Sequence, residues 1–228
     1  MTVDLEQLAR RAGRELESAP AQEIVRWAVQ TFGTRFAVAS SMQDAVLVHL
    51  VSQVTGGVDV LFLDTGYHFA ETLGTRDAVA ATYDVNLITL TPRRTVAEQD
   101  AWHGPKLHNR DPDRCCALRK VAPLDRALAR YDAWATGLRR VEAPGRAHTP
   151  VVSYDAKRGK VKVAPIATWT DTDVEDYITE HAVLINPLRS AGYSSIGCAP
   201  CTRATAVGDD PRAGRWAGSA KTECGIHT

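Results

Sequence analysis

Five cysteines carry the most legible chemistry of this 228-residue chain. Cys115 and Cys116 are adjacent, Cys198 and Cys201 form a C-x2-C pair, and Cys224 stands alone close to Thr228. Two close pairs point to ligands of a metal centre. The lone thiol, in a glycine-rich tail without apolar periodicity, points to a nucleophile. An exposed thiol near Arg212, Arg215 and Lys221 would ionise readily and attack an electrophile well.

The spacing of the two pairs bears on what they would bind. Adjacent side chains on a helix diverge by about 100°, so Cys115 and Cys116 chelate one tetrahedral ion awkwardly. In an iron–sulfur cube each cysteine binds a different iron, and four thiolates are the expected set. Zinc ribbons pair two C-x2-C units about 15 to 20 residues apart; here one pair lacks its spacer and the gap is far longer. A structural zinc, a disulfide between Cys198 and Cys201, or buried free thiols are the alternatives, and ligand type with spacing favours the cluster. Lys120 follows Cys116 by one helical turn, within reach of a cluster sulfur or a bound anion.

Three further loops carry polar groups at the ends of strand-like runs. They are Ser40-Ser41-Met42-Gln43-Asp44, Leu63-Asp64-Thr65-Gly66, and Thr136-Gly137-Leu138-Arg139-Arg140. A strand–loop–helix junction offers free backbone N–H groups and a positive helix terminus to a phosphate. The first loop lacks glycine, so it is not a Walker-type loop, and Ser41 also reads as an ordinary helix cap. Arginine after the third suits a two-pronged hold on phosphate or sulfate.

The elements that would position these loops alternate. Apolar spacing predicts helices over 4–17 and 21–31, a strand over 36–40, a helix over 43–54, a buried strand over 58–64, a helix over 69–83, and strands over 86–91 and 131–136. Such alternation implies a parallel sheet with helices on both faces, whose ligands bind beyond the carboxyl ends of the strands. Residues 151–163 read as two short strands about a glycine turn, and Thr170 opens a further helix with acids in its first turn. Cys115 and Cys116 lie in a helix-like stretch that Pro123 is expected to interrupt. The expected organisation is one α/β domain over 1–210 with a mobile catalytic tail over 211–228.

Charge is balanced, with 27 Lys and Arg against 27 Asp and Glu, so no overall field recruits nucleic acid or an anionic membrane. No apolar run approaches a membrane span, and the first residues are acidic where a secretory leader is basic and then apolar. A cytoplasmic protein with reduced thiols is expected.

Taken together, these pieces resemble the assimilatory sulfonucleotide reductases, and specifically the iron–sulfur type acting on adenosine 5′-phosphosulfate (APS). The carrying residues are Leu63-Asp-Thr-Gly66, Cys115-Cys-Ala-Leu-Arg-Lys120-Val121, Thr136-Gly-Leu-Arg-Arg140, Asn186-Pro-Leu188, Gly192-Tyr193, Ser195-Ile-Gly-Cys198, Pro200-Cys-Thr202, Gly214-Arg-Trp216 and Glu223-Cys-Gly-Ile-His227. They occur in order and span about 36–227. Two stretches depart from the family's usual residues: 141–146, where Gln and Ser are frequent, and 217–218, where further tryptophans and an acid are frequent.

The resemblance implies a Rossmann-like parallel sheet with flanking helices, of the adenine nucleotide alpha-hydrolase type. It implies that Cys224 attacks the sulfur of APS, giving an S-sulfocysteine and AMP, and that thioredoxin then releases sulfite. It assigns a 4Fe–4S cluster to Cys115, Cys116, Cys198 and Cys201, and makes Lys120 the link between cluster and substrate. Arg212 and Arg215 are expected to hold the phosphosulfate, with Arg140 and Arg146 as additions, and Ser40, Ser41 and Asp64 to face the nucleotide. The process is sulfate assimilation toward cysteine; self-association into a homo-oligomer is left open, and neither nucleic acid nor membrane is an expected partner. Competing readings are a reductase of the 3′-phosphorylated nucleotide (PAPS), an ATP pyrophosphatase, and a metal-stabilised nucleotide sensor.

Overall fold

The computed structural model describes residues 4–206, 208–217 and 221–227. The expected division at 210/211 therefore includes positions, namely 1–3, 207, 218–220 and 228, that lie outside the described residues. Among the described residues the chain forms one six-stranded sheet. In chain order its strands are β1 (Phe36–Ser40), β2 (Val58–Leu63), β3 (Val85–Leu90), β4 (Ala133–Thr136), β5 (Val152–Asp155) and β6 (Lys160–Val163). The spatial order is β3-β2-β1-β4-β6-β5, parallel throughout except for the β5–β6 hairpin. The chain builds outward from β1 to β3, then returns to place β4 on the other side of β1. That reversal opens a crevice beyond the carboxyl ends of β1 and β4, where such sheets bind ligands.

Helices cover both faces. They are α1 (Leu5–Glu15), α2 (Ala21–Phe32), α3 (Val46–Ser52), α4 (Ala70–Thr82), α5 (Val96–His103), α6 (Leu107–Arg110), α7 (Pro112–Cys116), α8 (Ala122–Leu128) and α9 (Asp171–His181). Alternation along the strands divides the core in two. Phe36, Val38, Val60, Phe62, Ala133 and Ala135 face the larger side with residues of α1, α2, α3 and α9. Ala37, Leu61 and Trp134 face the smaller side, where Leu124 and Leu128 of α8, Tyr131 and Ile226 of the tail cover them. The helices start where short polar side chains satisfy free N–H groups: Asp4 caps α1, and Thr95 with Glu98 and Thr170 with Asp173 form reciprocal capping boxes at α5 and α9. No helix among the described residues is long and apolar enough to cross a membrane.

Three local differences from the sequence expectations matter for the site. The helix expected from residue 43 begins at Val46, because Met42 adopts a left-handed φ of 60° and Asp44 bridges to Ile185. Buried Asn186 holds that turn, donating from Nδ2 to the Met42 carbonyl at 3.1 Å and to Thr72 Oγ1 at 3.0 Å. Pro123 does not interrupt the helix that carries Cys115 and Cys116. A π-helical turn, Ala117–Val121, follows α7 and delivers Pro123 into the first turn of α8, where a missing N–H costs nothing. The described residues of the tail, 211–217 and 221–227, form no helix or strand, and 221–227 lies against the sheet through Ile226 and His227.

α1 lies so close to β5 that a Cβ on Gly13 would sit 2.5 Å from the Val152 carbonyl oxygen. Gly13→Ala should therefore destabilise the fold by about 2 kcal/mol, although helix propensity alone favours alanine by about 1 kcal/mol. Thermal denaturation checks this; an unchanged or raised melting temperature would refute the close approach.

Candidate active site

The π-turn sends neighbouring cations in opposite directions. Arg119 is 4% exposed. Its guanidinium donates to the Thr65 carbonyl, to Gln99 Oε1 at 3.1 Å and to the Arg94 carbonyl at 3.3 Å, and it lies 5.3 Å from the Tyr67 ring centroid. Lys120 faces the other way, between two cavities. One is a cleft of about 450 Å³ at the sheet's switch point; the other is a small space bounded by Cys115, Cys116, Cys198 and Cys201. Lys120, Arg215 and Trp216 border both.

The cysteine pairs meet because the loop after β2 grips the C-x2-C turn. Thr65 Oγ1 lies 3.2 Å from Cys198 Sγ, and the Ala199 N–H donates to the Tyr67 carbonyl at 2.7 Å. Thr202 Oγ1 donates to the Cys198 carbonyl at 2.9 Å and accepts from the Gly197 N–H at 3.2 Å. Burial, then repulsion from Cys116, Cys198 and Cys201, pushes the Cys115 thiol up to about 12. Burial, then Cys198 and Cys116, pushes Cys201 up to about 11, and burial also raises Cys116. Such thiols hold their protons unless a cationic centre takes the sulfurs. No three His, Cys, Asp or Glu side chains among the described residues are arranged to hold a single metal ion. The four cysteines border one small space together with His108 and Tyr67.

Lys120 would lose its proton more easily through burial, but the sulfurs of Cys198, Cys224 and Cys116 outweigh that effect and raise its pKa. The segment 214–216 is laid on the cysteine loop by the Trp216 N–H donating to the Cys201 carbonyl at 3.0 Å and an isolated bridge between Thr202 and Arg215. Gly214 is required there, since a Cβ would collide with the Arg203 carbonyl. Arg215 donates to Ser195 Oγ at 3.2 Å, with its guanidinium 4.5 Å from the Trp216 ring centroid. Arg212 donates to the Thr222 carbonyl at 2.9 Å. Arg146 pairs with Glu142 and with Glu223, the latter through Nε at 2.7 Å.

Ser40, Ser41, Lys120, Arg146, Arg212, Arg215 and Cys224 all line the cleft. Two other expected contacts are placed elsewhere. Arg140 turns away, donating to the Thr149 carbonyl at 2.9 Å and pairing with Glu17 at 2.5 Å. Arg139 lines the cleft in its stead, paired with Asp171 at 2.8 Å; successive side chains of an extended segment point to opposite sides. Asp64 is not among the cleft-lining residues: its Oδ1 accepts from the Gly66 N–H at 2.9 Å, and Arg76 lies 4.0 Å from Oδ2. It shapes the turn that positions Thr65.

Glu223 and His227 also line the cleft, beyond the expected set. Their signal was adjacency to Cys224, which sequence alone does not convert into geometry. His227 stacks on Trp134 with planes 4° apart and centroids at 5.9 Å. Its carbonyl accepts from Lys162 Nζ at 3.3 Å, and that of Ile226 from Arg158 at 3.1 Å.

The fold and the cleft define an α/β protein whose switch-point crevice holds a thiol among cations. Residues 34–204 match the phosphoadenosine phosphosulfate reductase domain. The chain is 68% identical over 226 residues to the adenosine 5′-phosphosulfate reductase of Streptomyces coelicolor, covering 99% of this chain and 96% of that one. With the enzyme of the same name from Mycolicibacterium smegmatis it shares 58% over 224 residues, covering 98% and 95%. Among solved structures, phosphoadenylyl-sulfate reductase from Candida auris superposes with a TM-score of 0.77 at 30% identity, covering 89% of this chain and 99% of that one. FMN adenylyltransferase from Candida glabrata shares the fold at a TM-score of 0.58 and 12% identity, covering 88% and 74%. The chain belongs to the phosphoadenosine phosphosulfate reductase domain family.

The His227 environment makes the tail responsive to pH. Burial, then the charges of Lys162, Arg146, Arg158 and Arg212, holds its pKa well below the ordinary 6.5. A released tail binds a proton as pH falls below 6.5, and the docked tail does not. The proton-linked contribution to docking is therefore fully present above that value, and the docking constant falls by up to about tenfold per pH unit below it. Protection of the 221–227 amides from hydrogen exchange, referred to the intrinsic rate at each pH, should fall on acidification in the parent and not in His227→Gln; parallel profiles would refute the coupling.

Proposed function

We propose that this protein reduces APS to sulfite and AMP through an S-sulfocysteine on Cys224, with thioredoxin as the reductant. The observation that carries this reading is that Cys224 shares one cleft with Lys120, Arg146, Arg212 and Arg215, at the switch point of a nucleotide-type sheet. In the substrate, negative oxygens shield the sulfur of a phosphosulfate anhydride. Cations around those oxygens bind the substrate and also offset the charge that builds as the thiolate attacks. The Cys224 Sγ–S bond forms as the S–O bond to the phosphate breaks, and AMP leaves with the bonding electron pair. A thiolate of the dithiol partner then attacks Cys224 Sγ, releasing sulfite. Its second thiol resolves the mixed disulfide, returning the Cys224 thiol and a partner disulfide. The dithiol supplies two electrons, and reduction from sulfur(VI) to sulfur(IV) consumes two.

The four remaining cysteines suit a 4Fe–4S cluster. All four border one small space, and a cube spreads its thiolate ligands over separate irons. When bound, the cluster supplies a tie between α7 and the 198–201 turn and a fixed local charge. Because the electron count closes without it, no redox change is required of it. In this reading 1–210 binds the nucleotide and carries the cluster, while 211–228 delivers the nucleophile. A cytoplasmic setting keeps both thiol sets reduced.

Incubation with APS without reductant should leave one SO3 group on Cys224, detectable by mass spectrometry. Addition of reduced thioredoxin should release sulfite, and Cys224→Ser should abolish both, lowering turnover by about 10³-fold or more. Turnover surviving in Cys224→Ser, or faster reduction of PAPS than of APS, would sink the assignment. Iron and acid-labile sulfide should co-purify in equal amounts under anaerobic conditions and fall when Cys115 or Cys198 becomes serine. A zinc protein without sulfide would overturn the cluster while leaving the reaction open to the first assay.

A further inference from the structure

Glu223 precedes the thiol directly, and its carboxylate is fully engaged. Oε1 accepts from Arg146 Nε at 2.7 Å, and Oε2 accepts from Arg146 Nη2 at 2.8 Å and from Arg212 Nη2 at 3.3 Å. This is the two-pronged grip by which guanidinium groups hold carboxylate, phosphate or sulfate. All three side chains line the cleft. Burial would raise the Glu223 carboxyl, yet Arg146, Arg212 and Arg215 outweigh it and hold it below the usual carboxylate range. Arg212 is in turn lowered by burial and by Arg146 and Arg215, so the cationic cluster needs an anion near it.

A phosphosulfate entering the cleft would bring oxygens of the same charge and spacing to the same two guanidinium groups. On the reading that the cleft receives APS, we infer that Glu223 is a built-in counter-ion: it occupies Arg146 and Arg212 in the empty cleft and is displaced by the phosphosulfate. Glu223 is thus a positioning residue that acts through Arg146 and Arg212. It keeps like charges assembled before substrate arrives, docks the tail while the site is empty, and lowers substrate affinity by the free energy of its own displacement. Its place beside Cys224 means that the same exchange frees the residue next to the nucleophile when an anion binds. The converse role, in which Glu223 stays on the arginines and orients them toward substrate, predicts the opposite effect of neutralising it.

Equilibrium binding of APS to a Cys224→Ser protein, which cannot turn over, separates these roles. Adding Glu223→Gln should tighten APS binding by about tenfold. Adenosine, which carries no anion, should bind both proteins equally and thereby report an intact cleft. Glu223→Asp retains the charge and should stay close to the parent. Unchanged or weaker APS binding in the Gln variant, with adenosine binding intact, overturns the counter-ion role. If Cys224→Ser itself binds no APS, the reading of the cleft fails first and the inference falls with it.

Discussion

The site depends on one buried cation, Arg119. A guanidinium taken out of water is costly unless each of its donors meets an acceptor. Here the acceptors come from the loop after β2, from α5 and from the segment before it. Meeting that demand binds three separate pieces of chain to the π-turn, so the turn cannot rotate. With Arg119 directed inward, Lys120 must face the cleft, and Cys115 and Cys116 one turn earlier must face the 198–201 loop. Thr65 serves both ends of this arrangement. Its carbonyl receives Arg119 and its hydroxyl reaches Cys198. The turn shaped by Asp64 and Gly66 is therefore a structural brace under the cysteines.

The second constraint is charge. The whole chain is formally neutral, yet Arg139, Arg146, Arg212, Arg215 and Lys120 gather around one cleft. Like charges in a partly dry site repel strongly. Four of the five meet local counter-charge: Arg139 meets Asp171, Arg146 meets Glu142 and Glu223, Arg212 meets Glu223, and Lys120 meets sulfurs. Balance from side chains on different loops lets the site hold several cations without a basic surface. An anionic substrate is then selected by placement of charge inside the cleft, with no general attraction for polyanions.

Much of this was legible in the sequence, for physical reasons that differ by element. β1 and β2 read clearly because strands buried on both faces are continuous apolar runs, and α9 because Thr170 and Asp173 form a cap whose spacing is local. The cysteines read clearly because their residue type restricts their chemistry. Pro123 misled because a π-turn, which depends on the tertiary anchoring of Arg119, absorbs a residue that ordinarily ends a helix. The choice between Arg139 and Arg140 hinges on the direction of a single extended residue, and the pairing of Glu142 with Arg146 on a short turn. Asp64 lay beside a strand end, where cleft contacts are common, and its local turn bond prevailed. None of these leaves a periodic trace. The seating of Ile226 and His227 over Trp134 is longer in range still, since its partners are some 90 residues apart.

On the proposed reaction Cys224 serves two partners in turn, and the manner in which the tail is held suits both steps. The tail's ties include one stacked ring pair, carbonyls met by Lys162, Arg158 and Arg212, the ion pairs of Glu223, and that of Lys221 with Asp113. Partly exposed ion pairs and stacked rings contribute about 1 kcal/mol each or less. Such a sum orders 221–227 against the body while remaining small beside the binding energy of a protein partner. A thiol fixed on β1 or α8 would sit as well for attack, but its sulfocysteine would stay at the bottom of the crevice. On a short strap with weak, separable contacts, the sulfur lies among the cations for the first step, and a modest free energy suffices to present it to a dithiol for the second. Ile226 packs as a partly buried side chain against the smaller core cluster rather than within it, so the strap is held at the cluster's edge.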